Sequence, residues 1–147
     1  MVILVNKWDL ASGTNVSAEL YKEDMYAEFK DLQHYPILFV SALTKRRVSN
    51  ILEKAWETFT KQKEKLSTKD LNVWIEKAVK NYPPPATHGK SIKVKFVEQV
   101  QQSPPIFALF SNYPKLISIQ YLRYLHNQLR ESFDLKGITI KFSLRKG

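Results

Sequence analysis

The 147-residue sequence contains no cysteine, which excludes a disulfide scaffold, thiol catalysis and cysteine-based metal sites. Its three histidines, His34, His88 and His126, are too far apart in the sequence to suggest a metal cluster. The chain also has no signal-peptide pattern and no apolar run of transmembrane length. We therefore expect a cytoplasmic protein with no membrane partner.

Glycine is scarce, with only four residues, and none belongs to a phosphate-binding loop. Such a loop needs glycines whose backbone amides surround phosphates, followed by Lys and then Ser or Thr. The Gly89-Lys90 pair has no glycine five residues before it. The stretch Asp134 to Gly137 spells D-x-x-G, but we interpret it as a helix end closed by a glycine cap. The sequence therefore predicts no catalytic residue and no magnesium ligand.

Two short apolar strands are each followed by a polar tetrad. Asn6-Lys7-Trp8-Asp9 follows the run from Val2 to Val5, and Ser41-Ala42-Leu43-Thr44 follows the run from Ile37 to Val40. Ligands of open α/β sheets bind at the carboxyl ends of the strands. Both tetrads are therefore predicted to lie at the same ligand-binding edge of a sheet.

The residue types in these tetrads suit guanine. The base presents two adjacent N–H donors, and one carboxylate, that of Asp9, can accept both in a charge-assisted pair. In this interpretation Asn6 ties the loops together and bonds the base edge, while Lys7 lays its methylene stem along the base face. The Ala42 amide, in a loop shaped by Ser41, donates to the guanine carbonyl oxygen. Trp8 is expected to pack rather than to contact a ligand.

The first part of the chain is predicted to alternate strand, helix, strand and helix. Ser17 is a candidate cap for a helix with apolar residues from Leu20 to Leu32, and Pro36 precedes the second strand. A second helix, roughly 48–65, places Leu52, Trp56 and other apolar residues on one stripe. Because a parallel sheet needs neighbours on its faces and edges, we expect this piece to be a portion of a larger α/β sheet and the chain to be truncated.

The second part predicts the element order αββαβ, a compact α+β domain with helices on one face of a three-stranded sheet. Its first helix starts after Ser67 and stops at the prolines from residue 83. Strands are predicted from Ile92 to Val100, from Ile106 to Phe110 and from Ile138 to Leu144. Strand alternation predicts that the aromatic residues Phe96, Phe107, Phe110 and Phe142 belong to the core.

Positive charge is concentrated in the second part. Residues 1–65 carry 10 Lys and Arg against 9 Asp and Glu, which leaves 13 against 5 for residues 66–147. Such an excess is expected of a domain whose partner is rich in phosphate, most obviously RNA, although a generally basic surface is the alternative. The candidate RNA-binding residues are Lys93, Lys95, Arg123, Arg130, Lys141, Arg145 and Lys146.

An ordered series of motifs resembles the C-terminal part of the bacterial tandem GTPases called Der or EngA. The matching stretches are N-K-W-D-L from Asn6, P-I-L-F-V-S-A-L-T from Pro36, S-T-K-D-L-N from Ser67, three prolines from Pro83, and P-P-I-F from Pro104. The resemblance implies that residues 1–65 end a GTPase domain and that residues 66–147 form a KH-like domain. That domain has no G-x-x-G loop of the kind with which KH domains grip RNA.

Members of that family bind and hydrolyse GTP with magnesium and assist maturation of the large ribosomal subunit. The resemblance therefore implies GTP or GDP as ligand, and the large ribosomal subunit or ribosomal RNA as partner. It also implies that the preceding segments of the GTPase domain are partners of this chain. Without a phosphate-binding loop the chain is not expected to hydrolyse GTP alone.

Three hypotheses follow from the residues and the resemblance. The chain is a portion of a ribosome-assembly GTPase, or a basic module that binds RNA independently of nucleotide, or a structural interface for the remainder of a GTPase domain. Salt-sensitive RNA affinity separates the second hypothesis from the third, because phosphate contacts weaken steeply as ionic strength rises.

Overall fold

The computed structural model describes residues 1–147, which divide into two compact units. The first unit comprises Met1–Lys61 together with Lys136–Ile138. The second comprises Gln62–Leu135 and Thr139–Gly147. No helix in either unit is both long and apolar enough to span a membrane.

The first unit is built on a parallel strand pair. β1 (Ile3–Val5) and β2 (Ile37–Phe39) pair in register, with α1 (Ala18–Glu28) between them in sequence and α2 (Ser49–Gln62) after them. The hydroxyl of Ser17 caps α1 as predicted, accepting a hydrogen bond of 3.0 Å from the Leu20 amide. The helix ends at Glu28, and a 3₁₀ turn at Lys30–His34 occupies the last turn of the predicted helix.

Little of the first unit is buried. α1 buries no residue, and Thr58 is the one buried residue of α2. The predicted apolar stripe of α2 is present on the helix, but Leu52 and Trp56 are 77% and 69% exposed. Because two parallel strands cannot cover these faces, the first unit has the burial expected of a portion of a larger α/β layer.

The second unit has the element order αββαβ that the sequence predicts. Its elements are α3 (Thr68–Asn81), β3 (Val94–Gln101), β4 (Ile106–Ser111), α4 (Ile119–Ser132) and β5 (Lys141–Lys146). The sheet has the order β3-β4-β5, with β3 antiparallel and β5 parallel to the central strand. The predicted fold class, a partial α/β unit followed by an α+β unit, is confirmed.

Helices α3 and α4 cover one face of this sheet, which we call the inner face. Their buried residues, including Leu71, Ile75 and Leu125, form a core with Val97 and Phe107 of the sheet. The Asn72 side chain joins α3 to β3, since its amide accepts from the Val97 N–H at 3.1 Å and donates to the Val97 carbonyl at 3.2 Å. An edge strand thereby gains partners for backbone groups that no neighbouring strand satisfies.

Two of the aromatic residues assigned to the core lie elsewhere. Phe107 is fully buried and Phe142 is half-buried on the inner face, but Phe96 is 40% exposed and Phe110 half-buried on the opposite, outer face. The prediction was wrong for Phe96 because the register of β3 shifts between Val94 and Phe96, and wrong for Phe110 because it lies three residues after Phe107 and therefore on the opposite face of β4. An extra residue in a strand reverses the faces of those that follow, so Phe96 points away from the helices.

The glycine cap predicted for α4 is also wrong in detail. Asp134, with φ of 47°, adopts the left-handed conformation that closes the helix, and the Leu135 N–H donates to the Arg130 carbonyl at 3.2 Å. Gly137 makes a separate turn with φ of 82° in the first unit, where a Cβ would lie 3.1 Å from Pro36. That turn requires glycine for both its dihedral angle and its close approach.

Candidate functional site: a pocket between two loops

The two predicted tetrads lie side by side at the carboxyl ends of β1 and β2. The Val40 N–H donates to the Val5 carbonyl at 2.9 Å, and the Trp8 N–H donates to the Val40 carbonyl at 3.0 Å. Trp8 packs on Phe39 with ring centroids 4.4 Å apart, in agreement with the packing role expected of it. These contacts fix both loops at one edge of the strand pair.

Lys7 turns the chain between strand and loop. Its φ of 61° and ψ of 30° place it in the left-handed region, directly before a 3₁₀ turn at Trp8–Ala11. A non-glycine residue in this conformation is uncommon and is concentrated at functional sites. The turn carries Asp9 to the same side of the strand pair as the loop at Ala42.

Side-chain hydrogen bonds hold the second loop in place. The Asn6 side-chain oxygen Oδ1 accepts from the Ala42 N–H at 3.1 Å, and the Ser41 hydroxyl accepts from the Thr44 N–H at 3.2 Å. Asn6 therefore ties the loops together, but the Ala42 amide that was assigned to the guanine carbonyl already has a partner. A base can use this donor only by sharing it with Asn6 or by displacing the Asn6 oxygen.

A pocket of about 460 Å³ opens between the two loops. Its lining residues are Asn6, Lys7, Asp9, Leu10, Ala42 and Leu43. Asn6, Lys7, Asp9 and Ala42 thus share one pocket, whereas Ser41 is buried beneath it and shapes the loop.

Asp9 is the chemically distinctive group of this pocket. Its Oδ1 atom is buried and has no hydrogen-bond partner. A buried carboxylate oxygen without a donor costs free energy, about 1 to 3 kcal/mol, unless a ligand supplies the missing hydrogen bond. The pocket is therefore lined by apolar side chains and by a carboxylate that has one unsatisfied oxygen, a combination that suits a flat heterocycle with N–H donors.

Leu10 and Leu43 line the pocket without having been assigned to it. Both are strongly exposed, at 71% and 86%, although leucine favours burial. Each directly follows a motif residue, and this adjacency was the available sequence signal. Exposed leucines on either side of a pocket offer apolar surface to the faces of a ring.

The predicted RNA-binding residues do not form one surface. Lys141 and Arg145 lie on the outer face of the sheet, and Lys95 occupies the register shift of β3 beside it. Lys93 lies just before β3, and Lys146 ends β5, both exposed. Arg123 and Arg130 belong to α4, which covers the inner face, so the helix layer separates them from the outer-face group.

No group of three or more His, Asp or Glu side chains in the structure is arranged to hold a metal ion. In the second unit, burial raises the pKa of the Tyr121 hydroxyl above its ordinary value, with smaller contributions from Tyr124 and Tyr82. Burial likewise raises the pKa of Tyr124. Both hydroxyls donate to backbone carbonyls of the α3 terminus, which gives these tyrosines a structural role.

Comparison with known proteins adds two findings. A family model for the KH-domain-like C-terminal domain of EngA bacterial GTPase enzymes matches residues 65–145. Curated proteins named GTPase Der are similar over nearly the whole chain. The protein of Amoebophilus asiaticus is 40% identical over 146 residues, that of Flavobacterium johnsoniae 39% over 146, and that of Fusobacterium nucleatum 41% over 144. These matches cover 97 to 99% of this chain but only 33 to 34% of the relatives, so the chain spans about a third of their length.

Proposed function

This chain belongs to the EngA family of bacterial GTPases, and on that premise we propose that its first unit supplies the guanine-recognising half of a GTP-binding site. The relatives are named as GTPases. The observation that carries the proposal is the buried, unpartnered Oδ1 of Asp9 in a pocket between the two loops.

Guanine supplies what the Asp9 carboxylate lacks. Its ring N–H and its 2-amino group lie side by side and can both donate to one carboxylate, whereas adenine has no such pair. A site that leaves a buried acceptor unsatisfied with the wrong base discriminates strongly against that base. The Lys7 stem and Leu43 provide apolar contact for the two faces of the ring.

Asn6 and Ser41 position this site rather than fill it. Asn6 links the first loop to the second through the Ala42 amide, and Ser41 closes the turn of the second loop on Thr44. Guanine binding brings its carbonyl oxygen to the Ala42 amide, either shared with or in place of Asn6. Base recognition in this chain thus depends on the alignment of two loops at one sheet edge.

The phosphates of the nucleotide need groups that this sequence does not contain. It has no phosphate-binding loop and no cluster of carboxylates for magnesium. The preceding GTPase segments of the family protein are proposed to supply both functions, including hydrolysis. With base contacts alone, GTP or GDP binds this chain with a Kd of about 1 mM or weaker, because a few contacts must offset the entropy of association.

The second unit is proposed to bind ribosomal RNA, and through it the large ribosomal subunit whose maturation the family assists. Residues 66–147 carry 13 basic against 5 acidic residues, which supports a phosphate-rich partner. These roles place the protein in the cytoplasm. The alternative, a purely structural interface, predicts no salt-dependent RNA affinity.

Calorimetric titration with GDP, GTP and ATP tests the nucleotide proposal. The titration is made on the chain alone and after addition of the preceding GTPase segment of a similar protein, such as that of Flavobacterium johnsoniae. The mixture is expected to bind GDP and GTP in preference to ATP. Asp9→Ala should weaken GDP binding at least about tenfold, because a charge-assisted hydrogen-bond pair is lost.

Asp24→Ala is the matched control, since Asp24 is an exposed acidic residue of α1 in the same unit. It should leave the affinity for GDP unchanged. Equal affinity of the mixture for GDP and ATP, or an Asp9→Ala protein that keeps its guanine preference, would remove the basis for this function.

A further inference from the structure

The sheet of the second unit has an outer face, opposite the helices, on which Phe96, Lys141 and Arg145 are exposed. On the inner face Val97, Phe107 and Leu109 are fully buried under the helices. Residues that pair across strands share a face, so the register places Phe96, Phe110 and Arg145 together on the outer face. This three-residue set spans all three strands, and we call it the aromatic row.

The aromatic row is a stack. The rings of Phe96 and Phe110 are nearly parallel, at 13°, with centroids 4.1 Å apart. The Arg145 guanidinium lies 6.0 Å from the centroid of Phe110 on the neighbouring strand. Phe110 is thus placed between two neighbours, whereas Phe96 stands on the edge strand and has only one ring partner in the row.

Exposure distinguishes Phe96 from an ordinary sheet aromatic. It is 40% exposed, although a phenylalanine normally loses most of its surface on folding. Its stacking on Phe110 fixes the ring, so an incoming ring would meet an ordered platform. β3 is the edge strand of the sheet, so no further strand lies beside this ring.

Basic residues lie next to the platform and farther along the outer face of β5. Lys95 precedes Phe96 at the register shift, and Lys141 and Arg145 lie on the same face of β5. The ion pairs Lys54–Glu57 and Lys61–Glu57 of α2 involve none of these residues. Glu98, the acidic residue of β3, lies two positions after Phe96 on the same face. The three basic side chains outnumber it.

We propose that the aromatic row binds an unpaired base of single-stranded RNA, with the base stacked on Phe96 and the neighbouring phosphates held by Lys95, Lys141 and Arg145. Aromatic platforms beside basic side chains bind single strands because every base has a π-face and every nucleotide a phosphate. A-form duplexes keep their bases stacked and paired, so the platform selects unpaired RNA. A protein partner fits less well, because lysine is depleted at protein interfaces and two of the three basic residues here, Lys95 and Lys141, are lysines.

This inference rests on the proposed RNA-binding function of the second unit and deepens it. Basic charge alone predicts binding without preference for unpaired strands. The aromatic row predicts that one ring contributes affinity by a contact that salt does not weaken.

The test is fluorescence anisotropy of a labelled single-stranded oligoribonucleotide with the whole chain, repeated over a range of salt concentrations. Phe96→Leu removes the ring and keeps an apolar side chain, and it should weaken binding about five- to tenfold. Stacking releases no counterions. A plot of the logarithm of affinity against the logarithm of salt concentration should therefore have the same slope for Phe96→Leu as for the unchanged chain. Arg145→Gln should instead make that slope shallower by about 0.7.

Two variants control for folding and for non-specific effects. Phe96→Tyr keeps the stacking ring and should bind as the unchanged chain does. Phe29→Leu alters another exposed phenylalanine, 54% exposed in the first unit, and should have no effect. A 2-aminopurine base in the strand should lose fluorescence on binding, and this loss should be reduced by Phe96→Leu.

The outcomes separate the inference from the function on which it rests. If no salt-dependent RNA binding occurs, the RNA-binding function of the second unit falls and the inference with it. If binding occurs but Phe96→Leu equals the unchanged chain, or duplex RNA competes as well as the single strand, only the inference is overturned. If Phe96→Tyr loses as much affinity as Phe96→Leu, the effect is structural and the stacking role is refuted.

Discussion

At the scale of the residue, Tyr121 shows how a polar group is buried at low cost. The residue is 1% exposed, and its hydroxyl donates to the Tyr82 carbonyl at 3.0 Å. Tyr124 makes the matching bond to the Ala78 carbonyl at 2.9 Å. The Tyr82 carbonyl lies at the end of α3, where the last carbonyls of a helix lack intrahelical partners, whereas the Ala78 carbonyl also accepts from the Tyr82 N–H at 3.0 Å.

Tyr121→Phe should lower the free energy of unfolding of the second unit by about 1 kcal/mol, because the Tyr82 carbonyl loses its buried donor. Urea denaturation followed by circular dichroism measures this change. Tyr113→Phe is the matched control, since Tyr113 is 39% exposed. Equal stability of the Tyr121→Phe chain and the control would show that the hydroxyl contributes nothing.

The same hydroxyl predicts a pH dependence. Burial raises the pKa of Tyr121 above its ordinary value of 10.0, so above that pH the unfolded chain releases a proton that the folded chain keeps. The stability contributed by this group is complete below pH 10 and is lost as pH rises further. Thermal unfolding midpoints should therefore fall less steeply above pH 10 in Tyr121→Phe than in the unchanged chain, and parallel curves would contradict the assignment.

At the scale of the element, the edge of the second sheet depends on side chains from helices and loops. Asn72 satisfies both backbone groups of Val97, and the Gln99 side chain accepts from the Leu66 N–H at 2.7 Å. These contacts take the place of a fourth strand, and they prevent the edge of β3 from pairing with a strand of another molecule. They also explain why a polar Asn stands on the sheet-facing side of α3.

Asn72→Ala should cost about 2 kcal/mol of unfolding free energy, since two hydrogen bonds at the edge of β3 are lost together. Asn81→Ala, an exposed position in the same helix, corrects for the higher helix propensity of alanine. The measurement is urea denaturation with hydrogen exchange at the Val97 amide. If the Val97 amide is protected from exchange as strongly in Asn72→Ala as in Asn81→Ala, the bridging role of Asn72 is contradicted.

Elements were predictable to the extent that their determinants are local. The caps at Ser17 and Ser67 lie directly before α1 and α3, and each accepts a backbone hydrogen bond in the structure. The final strand was misplaced, since it begins at Lys141 although Ile138 and Ile140 are buried. Apolar residues that are buried outside a strand resemble strand residues in sequence, because burial and pairing are separate properties.

At the scale of the whole molecule, the two units differ in how much they bury. In the first unit the buried residues are Phe39, Val40, Ser41, Thr58, Gly137 and Ile138. The second unit contains the remaining core, including fully buried Leu71, Phe107 and Leu129. Since buried apolar surface is the main favourable term in folding, the first unit should be the less stable of the two.

Tryptophan fluorescence can follow each unit separately. Trp8 and Trp56 belong to the first unit and Trp74 to the second. The double variant Trp8→Phe/Trp56→Phe retains only Trp74 and therefore reports on the second unit, whereas Trp74→Phe reports on the first. The double variant should show its unfolding transition at a higher urea concentration than Trp74→Phe. Coincident transitions would show that the units unfold as one.

The order of the elements, the two polar tetrads and the concentration of basic residues were evident from the sequence, because each depends on neighbouring residues or on composition. Only the tertiary structure decided that Asn6 holds the Ala42 amide and that Phe96 faces outward. The first depends on two loops 36 positions apart meeting at one sheet edge. The second depends on a register shift, which is set by pairing between strands and reverses the face that alternation predicts.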